Sequence, residues 1–309
     1  MAVVRTGTVS RAAETLNVTP PAISLQMRQL EDAAGMPLVE RTDDGLRPTD
    51  GGREILTATT RIQAALFECG EALEALRGVD GGRVSVGIVS TAKYFAPRAL
   101  AAFAKRHPNV EMRLQIGNRE ETILALRNYD LDFAIMGRPP NDFEVDNSVI
   151  GDHPHIIVAP PDHPLARRRR MTFADLAEET FLLREQGSGT RLLMQRLFSD
   201  AGLNPNLGME IGSNETIKQA VMAGLGIALI SAHTVSAEIN DGRLIAFKVK
   251  GLPVVRRWFV VKRRQKRLLP AAKALWDFLA TAGAEFLPGI STFATAAESV
   301  RRGKGKSAG

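Results

Sequence analysis

Apolar residues in the first fifty positions recur with the spacing of two short α-helices. The two stripes consist of Val9, Ala12, Ala13 and Leu16, followed by Ile23, Met27, Leu30 and Ala34. Ser10 is predicted to cap the first helix and Asn17 to end it. Thr19 is predicted to cap the second helix, with its hydroxyl bound to a first-turn amide. Pro20 and Pro21 then occupy the first two helical positions, where backbone N–H groups have no partner within the helix.

Two short helices joined by a tight turn form either a helix-turn-helix or an ordinary helical hairpin with a solvated polar face. The next stretch, LVERTDDGLRPT (residues 38–49), favours the first interpretation because it predicts a strand, an Asp-Gly turn and a second strand. A hairpin beside a helix-turn-helix is the wing of a winged DNA-binding domain. Arg28, flanked by Ser24, faces away from the apolar stripe and can reach base edges. Arg41 and Arg47 lie on the two wing strands, within reach of phosphates.

The charge of this region predicts weak DNA binding by a single copy. The chain of 309 residues carries a net charge of +6, but residues 1–50 contain five arginines, no lysine and seven acidic residues, a net charge of −2. The positive excess lies at residues 167–170, at residues 256–267 and in the C-terminal tail. Because phosphate attraction normally dominates DNA affinity, we expect two copies to be needed.

Residues 51–77 contain a pattern that can pair two copies. Apolar and small residues alternate at intervals of four and three positions, which is a heptad seam kept for three repeats. The seam consists of Ile55, Thr59, Ile62, Leu66, Cys69, Leu73 and Leu76. Glycines flank this segment on both sides, which favours a dimerisation helix between two domains over a helix packed on its own domain. Cys69 is the single cysteine of the chain and is interpreted as a small buried apolar residue of the seam.

From residue 83 onward, predicted strands alternate with predicted helices. The strands are RVSVGIV, VEMRLQI, LDFAIMG and HIIVA, and after Pro160-Pro161 they are FLL, NLGMEI and GIALIS. The helices are AKYFAPRALAAFAKRHP and two that begin at Arg191 and Asn214. This alternation predicts an α/β fold with a largely parallel sheet. About 200 residues are many for one sheet, so we predict two lobes with a cleft between them.

Short polar side chains stand where these strands end and the helices begin. Helix N-termini offer free backbone N–H groups to anions, and open α/β sheets bind ligands at the carboxyl ends of their strands. A single position of this kind is typical of a helix cap or a surface arginine, but several junctions converging on one cleft favour a small anionic ligand. The predicted ligand contacts are Ser90, Thr91, Lys93, Asn118, Arg119, Arg138, Ser188, Gly189, Thr190, Ser213 and Asn214.

Other motifs argue against an enzyme. Gln186 takes the first glycine position of a G-x-S-x-G elbow, and the chain has no H-E-x-x-H, no Cys/His metal spacing and no dinucleotide-binding glycine fingerprint. We therefore expect no catalytic residue, metal or cofactor.

The absence of a long apolar run, of a signal sequence and of paired cysteines predicts a cytoplasmic protein without membrane contact. The histidines mostly precede prolines or lie in loops (His107, His153, His163) and are interpreted as turn residues. Residues 167–170 are interpreted as a solvated loop.

The stretch SRAAETLNVTPPAISLQMRQLEDAAGMPLVERT (residues 10–42) resembles the DNA-binding signature of LysR-type transcriptional regulators. The phrases VSTAKYFAPRALAAFAKRHP, GNRE, IMGRPP, REQGSGTR, SNETIKQAVMAGLGIALISAHTV and GLPVVRRWFVV resemble one branch, the activators of the Calvin-cycle (Rubisco) operon. The resemblance implies a winged helix-turn-helix, a linker helix and a two-lobed effector domain like a periplasmic binding protein. It further implies tetramers on an interrupted palindrome, and a phosphorylated effector such as a sugar bisphosphate or a nicotinamide or adenine nucleotide.

The resemblance also carries over to single residues. Thr19, Ser24, Arg28, Arg41 and Thr49 match DNA-contacting positions of the family. Ser90, Thr91, Lys93, Arg119, Ser188, Thr190 and Asn214 match its effector cleft. This chain departs from the family in three places: Pro20 replaces a glutamine that can read bases, the wing tip Asp43-Asp44-Gly45 is acidic where the family is basic, and about ten family residues before Val3 are missing, which predicts an incomplete first helix.

The predicted organisation has four parts. These are a winged helix-turn-helix (1–50), a linker helix and hinge (51–82), an effector domain (83–290) and a disordered basic tail (291–309). Lobe I of the effector domain is predicted at about 83–158 and 256–290, and lobe II at about 159–255. The expected partners are double-stranded DNA, a small anionic metabolite, further copies of the chain and RNA polymerase. The alternatives are a regulator of another metabolic operon and a ligand-binding protein that lacks DNA activity because of its shortened N-terminus.

Overall fold

The computed structural model describes residues 1–43, 45–76 and 81–289. The chain divides into two units between Leu73 and Glu74. The predicted tail (291–309), most of the predicted hinge (77–80) and Asp44 of the wing tip lie outside the described residues, as does the side chain of Leu76. None of the described helices is both long and apolar enough to cross a membrane.

The first unit contains the predicted helix-turn-helix and hairpin. Its elements are α1 (Ala2–Thr6), α2 (Val9–Leu16), α3 (Pro20–Ala34), β1 (Val39–Thr42), β2 (Gly45–Pro48) and α4 (Asp50–Leu76). Pro20 and Pro21 are the first two residues of α3, as predicted, and Asn17 ends α2 in the left-handed conformation with φ of 53°. Strands β1 and β2 pair antiparallel, which confirms the wing.

Two predicted helix caps differ from the structure. Thr8, rather than Ser10, caps α2: its backbone is extended and its hydroxyl accepts a hydrogen bond from the amide of Arg11. Thr19 stands at the N-cap position of α3, but its side chain binds no first-turn amide. Pro21 accounts for part of this, because it removes one of the two amides that an N-cap side chain normally binds.

The core of the first unit is smaller than the two stripes predict. Its buried residues are Val3, Ala12, Ala13 and Ile23. Leu16 and Leu30, which the stripes placed inside, are 51% and 43% exposed. Two alanines and two β-branched residues fill the small space where the helices cross, so the ends of both stripes extend beyond it. Gly52 is needed at the edge of this unit, because a Cβ there would lie 1.9 Å from the carbonyl oxygen of Leu38.

The second unit is an α/β domain with two lobes. Its strands are β3 (Gly82–Val89), β4 (Val110–Gly117), β5 (Phe133–Met136), β6 (Val145–Ala159), β7 (Thr180–Arg184), β8 (Asn206–Ile211), β9 (Ala228–Ser231), β10 (Ile245–Ala246) and β11 (Val254–Arg263). Its helices are α5 (Ala96–Arg106), α6 (Arg119–Arg127), α7 (Gly189–Asp200), α8 (Asn214–Met222), α9 (Ser236–Asn240) and α10 (Pro270–Ala282). The predicted α/β class and its two-lobed architecture are confirmed.

The prediction of a largely parallel sheet is wrong for the centre of this domain. The main sheet runs in the order β10-β6-β11-β5-β3-β4, with β9 also paired to β6. Strands β3, β4 and β5 are mutually parallel, as are β7 and β8, but β6 and β11 pair antiparallel with each other and with their other neighbours. Local alternation of strand and helix cannot reveal two long strands that return the chain from one lobe to the other.

Strands β6 and β11 therefore connect the lobes. The first part of β6 joins the β5-β3-β4 sheet through β11, whereas residues 155–159 pair with β9 and β10. Lobe I, formed by β3, β4, β5, α5, α6 and α10, has a core around Phe103, Phe133 and Trp258. Lobe II, formed by β7 to β10 and α7 to α9, has a core around Phe181 and Phe198. The lobe boundary predicted at 158/159 falls inside β6.

Candidate functional site

A cleft between the lobes lies where β3, β5 and β7 end. Its volume, including the part open to solvent, is about 570 Å³, which suits a small metabolite. The predicted contacts that line it are Ser90, Thr91, Asn118, Arg119, Arg138, Ser188, Gly189 and Thr190. The cleft is also lined by residues that no sequence pattern indicated, namely Val89, Gly137, His153, His155, Arg184, Leu192 and Arg256.

The remaining predicted contacts, Lys93, Ser213 and Asn214, are not among the residues that line the cleft. Lys93 has its ammonium 5.2 Å from the ring centroid of Tyr94, and the Tyr94 hydroxyl donates a 3.1 Å hydrogen bond across the lobes to Glu215. Ser213 caps α8 by accepting a hydrogen bond from the amide of Thr216. Asn214 is buried and contacts Arg184. Asn214 therefore supports the cleft through Arg184.

Arg184 holds the two lobes together at the floor of the cleft. Its guanidinium is 3% exposed and donates to the Ser90 hydroxyl of lobe I at 3.1 Å. It also donates to the amide oxygen of Asn214 and to both carboxylate oxygens of Glu185, at 2.7 and 2.8 Å. Because this cation is already paired, its role is to fix the polar groups around it. The only sequence signal for it was a charged residue at the end of a strand.

Three arginines converge on the cleft from different parts of the fold. Arg119 begins α6, Arg138 follows β5 and Arg256 lies on β11. Burial, and then the positive charge of Arg138, lower the pKa of both Arg119 and Arg256. Arginine side chains carry a positive charge, so the three guanidiniums repel one another. A multivalent anion bound among them would relieve this repulsion.

Helix N-termini add neutral donors to this site. Ser188 is the N-cap of α7 and its side chain makes no cap hydrogen bond, and Ser188, Gly189 and Thr190 all line the cleft. Asn118 caps α6, but its side-chain oxygen already accepts from the amide of Glu121 in a capping box. A Cβ on Gly189 would stand 3.3 Å from Arg119, so the two helix starts come close from opposite lobes.

The interpretation of His153 as a turn residue is wrong. His153 and His155 lie on β6, are buried, and stand with their ring centroids 4.2 Å apart. The ring of His153 stacks 3.7 Å from that of Trp258, whose indole N–H donates to Nδ1 of His233 at 3.1 Å. The His-Pro dipeptide suggested a turn, but pairing with β11 keeps the strand extended through it. His163, by contrast, precedes a 3-10 turn and accepts from the amide of Leu165.

Burial keeps these histidines neutral. It lowers the pKa of His155 to about 3, with a further contribution from Arg256, and lowers that of His233 to about 4. It lowers the pKa of His153 well below the usual value, with further contributions from His155, His233 and Arg256. Among the residues that the structure describes, no group of three or more histidine, cysteine, aspartate or glutamate side chains is placed to hold a metal ion.

The predicted DNA contacts lie on exposed parts of the first unit, with one exception. Thr19, Pro20, Ser24 and Arg28 are exposed at the start and middle of α3, and Arg41 and Arg47 are exposed on β1 and β2. The Ser24 hydroxyl donates to the carbonyl of Pro20 at 3.1 Å. Thr49 is half-buried: its hydroxyl donates to the carbonyl of Pro37 at 2.8 Å and accepts from the amide of Gly52 at 3.1 Å. Thr49 thus also caps α4.

The predicted dimerisation seam faces outward in the single chain. Ile62, Leu66 and Leu73 are among the most exposed large apolar side chains, with Leu66 69% exposed. Cys69 is exposed as well, and Ile55 is half-buried. Packing of this stripe against its own domain, the alternative interpretation, does not account for these exposures.

A winged helix-turn-helix joined to a two-lobed domain with a basic cleft defines a DNA-binding regulator that responds to a small ligand. Sequence models of known families match both parts. Residues 1–53 match the "Bacterial regulatory helix-turn-helix protein, lysR family", and residues 77–284 match the "LysR substrate binding domain". The chain therefore belongs to the LysR family of transcriptional regulators, a family that binds DNA and small effectors and forms oligomers.

Several known proteins are similar to this chain over most of its length. The HTH-type transcriptional regulator CbbR of Xanthobacter flavus is 58% identical over 284 residues, which cover 91% of this chain and 85% of that protein. The RuBisCO operon transcriptional regulator of Allochromatium vinosum is 44% identical over 278 residues, covering 90% and 92%. Among solved structures, the regulatory domain of Synechocystis PCC6803 CcmR in complex with 2-PG has a TM-score of 0.64 and 34% identity, covering 67% of this chain and 100% of that one. The LysR-family regulator CbnR, at 22% identity and a TM-score of 0.62 over 90% and 94%, supports the fold alone.

Proposed function

We propose that this protein regulates a Rubisco (carbon-fixation) operon and that a small phosphorylated anion bound in the interlobe cleft controls its activity. The observation that carries the effector half of this proposal is the convergence of Arg119, Arg138 and Arg256 on one cleft. The operon half is supported by the names of relatives at 58% and 44% identity. The 34% identical CcmR domain, which binds 2-PG, supports a phosphorylated ligand.

In the proposed complex the anion lies between groups of both lobes. The guanidiniums supply charge, and Ser90 and Thr91 from lobe I face Ser188 and Thr190 from lobe II. A helix N-terminus favours negative charge by about 0.3–1 kcal/mol, rising to ~2 kcal/mol when partly buried. Hydrogen bonds to charged groups contribute about 1.5–3 kcal/mol each. The anion thus binds best when the lobes are closed around it, and it shifts the conformational equilibrium by its differential affinity for the closed form.

The DNA-binding half of the proposal requires two copies. Residues 1–50 carry a net charge of −2, which limits the phosphate attraction available to one copy. Pairing through the exposed apolar stripe of α4 places two α3 helices on one operator, with Arg28 reading bases and Arg41 and Arg47 holding phosphates. Contact with RNA polymerase in the cytoplasm would complete the regulatory function.

The effector proposal predicts that Arg138→Gln loses the ligand while DNA binding in its absence is kept. We expect wild-type protein to bind 2-phosphoglycolate or ribulose bisphosphate in calorimetry, and the variant to bind about 10- to 150-fold more weakly, the equivalent of one charged hydrogen bond. Arg169→Gln removes a charge of the exposed 167–170 loop and serves as the matched control.

A gel-shift titration with DNA from upstream of the Rubisco operon tests the proposed regulation. It is run without ligand and with 2-phosphoglycolate, ribulose bisphosphate or a nicotinamide nucleotide. An operator affinity that none of these three compounds changes would contradict the proposed effector class. Specific binding to the promoter of another operon, with none to this one, would favour a regulator of different metabolism. Equal ligand affinity in Arg138→Gln and Arg169→Gln would exclude the arginine cluster as the site.

A further inference from the structure

We infer that His153 is an additional contact for the anion in this cleft, and that each anion enters together with one proton, which His153 takes up. This inference rests on the proposed function and concerns how the same site recognises its ligand. It predicts that the affinity for a given anion depends on pH through a residue of the protein. It also predicts that the site prefers ligands whose oxygens can accept a hydrogen bond from an imidazolium.

The geometry around His153 contains a polar atom without a partner. Its side chain is 3% exposed and lines the cleft, and its Nε2 lies 3.0 Å from the hydroxyl of Ser231. Its Nδ1 is buried and has no hydrogen-bond partner among the described residues. Gly137, which also lines the cleft, packs against Nδ1 with its backbone: a Cβ there would lie only 2.8 Å from this nitrogen. An anion oxygen that binds beside the Gly137 backbone would come within reach of Nδ1.

The groups that face His153 keep it neutral before an anion binds. From its own strand it meets His155, from β11 it meets Arg256 and the ring of Trp258, and from the turn after β9 it meets His233. The two histidines are themselves held neutral by burial, and Arg256 repels a second positive charge. Trp258 donates its N–H to His233 and offers no acceptor to His153.

A bound anion changes the protonation equilibrium of His153, because it supplies the hydrogen-bond partner that Nδ1 lacks. Its charge offsets that of Arg256 and the neighbouring Arg138, and its oxygen accepts a hydrogen bond from Nδ1–H. Both effects favour the charged imidazole. We assign the neutral ring the tautomer in which Nε2–H donates to the Ser231 hydroxyl oxygen, so the incoming proton comes from the buffer and ends on Nδ1. No other bond forms or breaks, so binding should take up as much as one proton per anion.

Calorimetry of full-length protein with 2-phosphoglycolate tests this inference. Titrations at pH 6.5 in buffers of different ionisation enthalpy give the number of protons exchanged on binding. We expect the wild type and His107→Gln, the matched control on an exposed histidine outside the cleft, to exchange the same number of protons. Uptake should be smaller in His153→Gln and in Gly137→Ala, whose methyl group would press against Nδ1 and block it while the arginines stay. The phosphate monoester also loses protons on binding near this pH, which offsets uptake by the protein. This contribution is common to all four proteins, so the difference between them measures the uptake by His153.

Sulfate, which does not titrate between pH 5.5 and 8, provides an independent probe. Its affinity for the wild type should rise by as much as about tenfold for each unit that the pH falls, and it should depend on pH much less in His153→Gln. Should the variants fold poorly, ¹⁵N-histidine spectra of the wild type still decide, because the Nδ1 signal of His153 must change from an unprotonated to a protonated nitrogen on binding.

The outcomes separate the two proposals. Sulfate binding without proton uptake, or equal proton uptake by the wild type and His153→Gln with either anion, would overturn this inference and leave the proposed effector site intact. A wild type that binds neither 2-phosphoglycolate nor sulfate would overturn the proposed effector class, and this inference with it.

Discussion

Lowering the pH should destabilise the two-lobed unit well before its carboxylates titrate, because His153, His155 and His233 are buried as neutral groups. Their pKa values in the folded protein lie below the ordinary value near 6.5, at about 3 for His155 and about 4 for His233. Below pH 6.5 the unfolded chain therefore binds protons that the folded chain does not. The stability is fully present above pH 6.5 and is lost as the pH falls, until the folded pKa is reached.

The expected loss follows from these shifts. Between pH 7 and pH 5 a histidine that stays neutral in the folded state lowers the free energy of unfolding by about 2 kcal/mol. His155 and His233 together contribute about 4 kcal/mol, a large part of the roughly 5–15 kcal/mol that typically separates folded from unfolded protein. The carboxylates whose pKa is lowered by ion pairs or hydrogen bonds, such as Asp175 and Glu210, act below about pH 4.5 and fall outside this window.

Urea denaturation followed by tryptophan fluorescence measures this loss. Both tryptophans of the chain, Trp258 and Trp276, are buried in lobe I, so the signal reports the two-lobed unit and not the DNA-binding domain. His233→Gln keeps an acceptor for the Trp258 indole and removes one titrating group, so its free energy of unfolding should fall by about 2 kcal/mol less over the same range. A wild-type free energy of unfolding that is constant from pH 7 to pH 5 would refute the assignment of these histidines as neutral.

Two further predictions concern the first unit and its helix. Arg28→Ala should weaken operator binding by about 1–3 kcal/mol for each base that the guanidinium binds, measured by gel shift, while the protein remains oligomeric; unchanged affinity would exclude α3 as the reading helix. Leu66→Asp should place a charge in the proposed dry interface between two α4 helices and yield monomers with poor DNA affinity in sedimentation and gel-shift measurements. An intact dimer would mean that the exposed stripe of α4 has another role.

Local patterns in the sequence were enough to predict most elements and several of their ends. The prolines at the start of α3, the left-handed Asn17 at the end of α2 and the Asp-Gly hairpin all depend on residues within one turn of each other. The heptad spacing of α4 also depends on residues three or four positions apart, and it predicts a long helix with one apolar stripe. The composition of the strand-to-helix junctions also predicted many residues of the cleft, because a helix N-terminus after a strand has the same polar donors wherever it occurs.

Tertiary structure decided which of these residues meet and which groups join them. Arg184 bonds Ser90, 94 positions away, and Arg256 reaches the cleft on a strand that returns from lobe II. His153 precedes a proline and looked like a turn residue, yet pairing with β11 makes it part of a buried stack. Because β6 and β11 pair antiparallel, Arg256 reaches the cleft and His153 is buried. Helix and turn signals act over three or four residues, whereas burial, pKa shifts and the convergence of arginines depend on strands paired about a hundred residues apart.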